Sequence, residues 1–304
     1  MRERIVPVLV LSGLLVGGLG NLLPASPDPD DPLRTAHDRF YLVKTHGAVR
    51  CDIIVVGDSR ALRGISPAVL EEELPGHDVF NFAFEAGSLN EEMYRQAEAR
   101  LAPGDGPRAV LLAVTPLSLF AWKAANQQYH EFRSAPPDEA WLTLHHPEVV
   151  QYFQPLRLRS FLAARFRGEK PPATVQVYHD DGWIESERIP PSPEEALGLY
   201  AVRFRDQTID PGLVEDLLRW TREWTDRGIG VFAFRPPTTD AVVELENRMT
   251  GFDEDRFAAR IEEAGGTWLR FTNDGYLAYD GSHLDRASAR RFSRELGARI
   301  RPQL

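Results

Sequence analysis

The run Asp52-Ile53-Ile54-Val55-Val56-Gly57-Asp58-Ser59-Arg60 restricts the possible folds of this chain more than any other. Four consecutive branched apolar residues read as a short strand covered on both faces, the pattern of a parallel sheet with helices on either side. Gly57 and Asp58 then force a tight exit. A side chain at the carboxyl end of such a strand stands at the crevice where open α/β sheets take their ligands. Here that side chain is the hydroxyl of Ser59.

The rhythm continues along the chain. Apolar runs at 78–83, 109–114, 230–234 and 267–271 alternate with helix-length segments at 67–74, 91–101, 211–227, 253–264 and 286–300. Short strands separated by helices require right-handed crossovers and an α/β fold with a parallel sheet. Leu213, Leu217, Trp220 and Trp224 recur at helical spacing and give one of these helices its apolar face. Residues 117–208 break the pattern. They carry Trp122, Trp141, Tyr152, Phe153, Phe161 and Phe166, then a Pro-bounded segment over 170–193 in which Asp180-Asp181-Gly182-Trp183 reads as a turn. This stretch is too long for a simple crossover, so a helical insertion or lid is expected there. No internal repeat is present.

The N-terminus is of another kind. Arg2 and Arg4 precede an uncharged, mostly apolar run over 5–23, and Asp28, Asp30 and Asp31 follow it. As a helix this run would span about 28 Å, close to a bilayer core. The charge asymmetry puts the body on the extracytoplasmic side, periplasmic or extracellular. An uncleaved anchor and a cleaved signal, which would leave the protein secreted, both remain open. Leu23-Pro24-Ala25 is a poor cleavage site, whereas Gly17, Gly18 and Gly20 weaken a membrane span. The expected organisation is an anchor or signal over 1–24, a linker and lead-in helix over 25–47, and one domain over 48–304 with its insertion at about 117–208.

At 304 residues and 43% hydrophobic the chain can bury a sizeable core, and its formal net charge of −10 argues against a nucleic-acid partner held through phosphates. The lone Cys51 excludes an internal disulfide and a cysteine-built zinc site. His145 and His146 are adjacent, so a helix would face them apart, and no acidic residue stands at ligand spacing; no metal is expected.

Near the other end lies Tyr279-Asp280-Gly281-Ser282-His283-Leu284. A serine nucleophile needs a base to take its proton, and an imidazole base needs a carboxylate to fix its tautomer. Ser59, His283 and Asp280 are of the right types. Each also has a plainer reading: a helix cap for Ser59, a turn cap for Asp280, a surface or core residue for His283. Arg235, in Phe234-Arg235-Pro236-Pro237, ends the fourth expected strand and stands either as a charge at the crevice edge or as a salt-bridge partner.

Gly57-Asp58-Ser59 and Asp280-Gly281-Ser282-His283 resemble the first and last blocks of the SGNH (GDSL-type) hydrolases. The resemblance implies a flavodoxin-like, three-layer α/β/α domain with a five-stranded parallel sheet. It also implies Ser59 as nucleophile, His283 as base and Asp280 as its orienting carboxylate. In that family the oxyanion is held by the serine N–H, a loop glycine N–H and an asparagine amide. Asn81-Phe82-Ala83-Phe84-Glu85-Ala86-Gly87 resembles the second block and offers Asn81 and Gly87. Two departures stand out. Arg60 replaces the usual leucine, and the expected Gly-x-Asn-Asp block is replaced by Val114-Thr115-Pro116-Leu117-Ser118. One lost oxyanion donor costs about 3 kcal/mol of transition-state stabilisation.

The C-terminal motif together with the N-terminal apolar run is closer to the SGNH-like proteins of polymer O-acylation, similar to alginate O-acetyltransferase and D-alanine-transfer proteins. That branch implies an exported serine-dependent acyl-ester hydrolase or O-acyltransferase working through an acyl-serine. Its substrate would be an acylated polysaccharide or small acyl ester, its partner a multi-span membrane acyltransferase, and no cofactor would be needed. The rival is a catalytically inactive SGNH-like module that binds glycan or a partner through the aromatics of 120–200.

Overall fold

The five apolar runs expected as strands all become strands. In the computed structural model, which describes residues 34–104, 106–152, 173–304 and isolated positions before residue 16, β1 is Ile53–Val56, β2 is Val79–Asn81 and β3 is Ala109–Ala113. Then come β4, Ala173–Tyr178, and β5, Ile184–Ile189, followed by β6, Gly230–Phe234, and β7, Thr267–Leu269. Five of them form one parallel sheet in the order β2-β1-β3-β6-β7. Numbered along the chain without the β4–β5 pair this is 2-1-3-4-5, the doubly wound flavodoxin-like order, whose switch point lies between β1 and β3. Ile53, Ile54, Val55 and Val56 are all at most 1% exposed, so β1 is covered on both faces as its composition demands. Burying each such side chain is worth about 1.5–3 kcal/mol relative to leaving it in water.

Helices complete the outer layers. Ser59–Gly64 and Pro67–Glu73 pack with Arg286–Ile300, while Glu91–Glu98 packs with Pro211–Asp226, and Glu254–Glu263 covers β7. The lead-in helix Arg34–His46 is fastened to the sheet by Lys44, fully buried, whose Nζ donates to the Ala83 carbonyl at 2.6 Å.

Three features differ from the expected layout. A six-residue helix begins at Ser59 itself, so the helix expected at 67–74 is the second of two after β1. Asp240–Thr250 is a further helix after β6 that the two prolines before it concealed. The insertion is only partly helical. Besides Gln127–Arg133, Pro137–His145 and Glu195–Arg203 it holds the antiparallel hairpin β4–β5, turned by the Asp180-Asp181-Gly182-Trp183 segment. Trp183 is buried and its Nε1 donates to the Arg63 carbonyl at 2.9 Å, which pins the hairpin to the serine side of the domain.

Phe153, Phe161 and Phe166 lie outside the described residues, as do the linker over 24–32 and all but isolated positions of 5–23. Among the described residues no helix is long and apolar enough to cross a membrane.

A second apolar cluster sits at the carboxyl edge of the sheet. Leu117 and Phe120, on the loop after β3, pack with Ala196, Tyr200 and Phe204 of one helix and Val242 and Leu245 of another. It joins the segments that carry the residues described next.

Candidate active site

Ser59 is placed by the turn that ends β1. Gly57 is packed so closely that a Cβ there would meet the Ala61 and Ala113 Cβ atoms at 2.8 and 2.9 Å; no larger residue fits. Asp58 then caps the short helix: one carboxylate oxygen accepts from the Arg60 N–H at 3.0 Å and the other from the Thr115 hydroxyl at 2.5 Å. Asp58 thus holds the exit of β1 to the exit of β3. Ser59, at the first helical position, keeps its N–H outside the helix's own ladder.

The partner loop lies between β7 and the last helix. A bridge between Ala278 and Leu284, with the Tyr279 N–H bonded to the His283 carbonyl at 2.9 Å, folds it into a tight arch. Gly281 adopts φ +91°, and a Cβ at that position would lie 2.0 Å from the Pro193 carbonyl oxygen. Only glycine is accommodated there. Its carbonyl accepts from the Thr238 and Thr239 hydroxyls at 2.8 and 3.1 Å, which ties the arch to the loop after β6.

These supports bring three distant residues into one line. His283 Nε2 lies 2.8 Å from Ser59 Oγ, and His283 Nδ1 lies 2.6 Å from Asp280 Oδ2. The second Asp280 oxygen accepts the Ser282 and His283 backbone N–H groups, both at 2.8 Å. Burial opposes ionisation of Asp280, but the imidazole and these hydrogen bonds outweigh it and hold the carboxyl well below the usual carboxylate range. A carboxylate so held takes the Nδ1 proton as acceptor, which leaves Nε2 free to accept from the serine hydroxyl. The ring of Tyr279 lies roughly parallel to His283, with centroids 6.0 Å apart, and its hydroxyl accepts from Arg63 at 3.1 Å. Asp280→Asn keeps the shape but presents an amide to Nδ1. On the reading below it lowers kcat on an acyl ester about a thousandfold or more, checked by steady-state kinetics beside an unchanged melting temperature.

The other residues singled out from sequence are placed differently. Gly87 packs against the end of β1, where a Cβ would meet the Gly57 oxygen at 2.6 Å, but its N–H closes a turn onto the Phe84 carbonyl at 3.1 Å. Asn81 is buried and spent. Its amide donates to the Ala61 and Ile65 carbonyls, both at 2.9 Å, and its oxygen accepts the Ala83 N–H at 3.0 Å. It braces the helix after Ser59 and offers no hydrogen to the crevice. Arg235 also points into the protein, bonded to Glu246 at 2.6 Å and to Asn247 at 3.0 Å. Burial requires a buried anion beside it, and Glu246 is that anion.

Glu246 has a second partner that sequence reasoning passed over. The Arg60 guanidinium, 3% exposed, reaches the fully buried Glu246 at 2.5 and 3.3 Å, and its Nε donates to Ser282 Oγ at 3.1 Å. The Tyr200 hydroxyl meets the same Ser282 oxygen at 2.6 Å. A chain of polar contacts thus runs from the residue after Ser59 to the loop of Asp280 and His283. The signal available in the sequence was the arginine itself: a charge in a helix whose other face must pack on a sheet needs a buried counter-ion.

Lys123 was also missed. It sits in the turn Ala121–Ala125 on the loop after β3, is 4% exposed, and its Nζ lies 4.6 Å from the ring centre of Trp122. Among the described residues no group of three or more His, Cys, Asp or Glu is arranged to hold a metal.

No protein-family model matches the chain, and no curated protein matches it. Solved structures with a similar chain include one from Streptococcus pneumonia described provisionally as a platelet activating factor; it is 10% identical, spans 88% of this chain and 92% of its own, and superposes with a TM-score of 0.36. At that level neither fold nor chemistry transfers from one chain to the other.

Proposed function

We propose that this chain is an SGNH-type serine enzyme that breaks acyl esters, exported and tethered through residues 5–23. The observation that carries the reading is the Ser59–His283–Asp280 line, with contacts of 2.8 and 2.6 Å, at the carboxyl end of β1. His283 Nε2 takes the hydroxyl proton as Ser59 Oγ attacks the acyl carbonyl, and Asp280 steadies the imidazolium. The tetrahedral intermediate collapses as His283 returns that proton to the leaving alcohol, which leaves an acyl-Ser59. Water or a sugar hydroxyl then attacks the acyl group as His283 accepts its proton, and His283 passes that proton to Ser59 Oγ as the acyl–serine bond breaks, which regenerates the serine hydroxyl. Water makes the enzyme an esterase; a sugar hydroxyl makes it an O-acyltransferase acting on surface polysaccharide, with a multi-span membrane protein as acyl source.

A serine-directed fluorophosphonate and a 4-nitrophenyl acetate assay test the reading on the full-length purified chain. Labelling at Ser59, with hydrolysis that Ser59→Ala removes, is expected. Acceptor glycan added to the assay should divert acyl groups from free acid to sugar if the protein is a transferase. One observation favours the second reading, a binding module with a remnant triad: the Gly87 N–H and the Asn81 amide are already engaged within the fold. Native protein that is neither labelled nor hydrolytic, with Ser59→Ala without effect in the host, would favour that reading, with exposed Trp122 and Trp141 as contact residues.

A further inference from the structure

We infer that Lys123 is an anion subsite beside Ser59, so that the preferred ester carries a carboxylate. This rests on Ser59 being the nucleophile of an acyl-ester reaction. The loop that bears Lys123 is clamped to the serine edge at several points. Thr115 holds Asp58, the Ser88 N–H donates to Asn126 at 3.0 Å, Asn90 donates to the Ala124 carbonyl at 3.0 Å, and the Glu85 N–H donates to Gln128 at 2.8 Å. The segment so gripped, 85–90, is the one whose Gly87 abuts the end of β1. The loop of Lys123 is thereby held against the exits of β1 and β3, and Asp58, the residue before Ser59, is close enough to act on its ammonium.

Lys123 is 4% exposed as a residue, its Nζ lies over the Trp122 ring, and among the described residues no hydrogen bond or ion pair holds it. The charged groups that face it are Asp58, Glu85 and Arg203. Neither carboxylate is available as a close partner. Asp58 is committed to the Arg60 N–H and the Thr115 hydroxyl, and Glu85 is paired with Arg63 at 2.5 Å. Desolvation of the side chain draws the Lys123 pKa down to about 8, with Arg203 adding to the fall and the two acids opposing it. A carboxylate entering from solvent supplies the missing counter-ion. Asn81, Gly87 and Arg235 are all engaged within the fold, whereas Lys123 has no hydrogen bond or ion pair among the described residues. Trp122, 49% exposed, presents its ring at the same edge.

The test separates binding from turnover. Full-length protein carrying Ser59→Ala is titrated by calorimetry with phenyl hydrogen succinate and with phenyl butyrate, and with 3-acetoxybenzoate and phenyl acetate. The first pair puts the charge on the acyl side and the second on the alcohol side. In at least one pair the anion should bind roughly tenfold or more tighter than its neutral counterpart, the worth of one charge-assisted hydrogen bond. Adding Lys123→Met should remove most of that advantage, and Lys123→Arg should restore it. Should either Lys123 variant fold poorly, the Ser59→Ala protein with Lys123 intact gives the same answer through pH: the anionic preference holds below about 8 and falls above it, where Lys123 is neutral. Equal binding of charged and neutral esters, or an advantage that survives Lys123→Met, overturns the proposal. Because no turnover is needed, an inert Ser59 would refute the enzyme reading while the subsite is decided separately.

Discussion

Ser59→Ala and His283→Ala each lower acyl-ester turnover by about four orders of magnitude or more, and the double variant loses no more than either single one. Non-additivity is the informative part. On the proposed function Ser59 Oγ and His283 Nε2, 2.8 Å apart, act as one proton-transfer unit, so removing either end removes the whole unit. The residual rate then comes from binding and the Ser59 N–H alone. Stability behaves differently. Ser59 is only partly buried and its hydroxyl makes one contact, so its loss shifts the unfolding free energy by less than about 1 kcal/mol. Steady-state kinetics beside urea melts check both halves. More than a tenth of wild-type turnover in Ser59→Ala would remove Ser59 from the chemistry.

How far the sequence carried depended on the range of the force concerned. The sheet was legible because β1, β3 and β6 are runs of apolar residues bounded by turn formers, and burial on both faces needs nothing more. Gly230–Phe234 and Arg286–Ile300 have the bounds their patterns dictate. The hairpin β4–β5 was not legible as strands. Val175 and Val177 face solvent, 37% and 43% exposed, so the pair carries little of the apolar contrast that marks a strand. In the site, Ser59, Asp280 and His283 were readable as residue types, since Gly-Asp-Ser and Asp-x-x-His place reactive groups beside turns. The oxyanion side was not, because it depends on which way an amide points. Asn81 and Gly87 stand near the serine, yet one amide group serves two carbonyls and the other N–H closes a turn. Orientation of this kind is set by contacts between Asn81 and residues 61 and 65, and no spacing encodes it.

Glu246→Gln costs about 3–5 kcal/mol of stability, because it leaves two buried guanidiniums without their shared anion. Arg60 and Arg235 reach the two oxygens of one carboxylate that is itself fully buried, and a neutral amide neither balances their charge nor accepts at both positions. Acting on the charge alone does not explain why the network is there, since an apolar replacement of a buried ion cluster is often as stable as the original. The triple change Arg60→Met, Glu246→Leu and Arg235→Met should therefore recover most of the stability that Glu246→Gln loses. Turnover should stay low. Arg60 is the side chain that carries its Nε to Ser282 Oγ, and Ser282 lies between Asp280 and His283 on the arch whose N–H groups hold the carboxylate. Without that contact Tyr200 is the remaining partner of the Ser282 hydroxyl, and the 2.8 Å approach of imidazole to hydroxyl loosens. The split expected is a reduced kcat with KM changed less, partly rescued in a protein that keeps Arg60 and Glu246 and carries only Arg235→Met. A triple variant with full turnover would show that the buried ions serve folding only and that the arch positions His283 unaided.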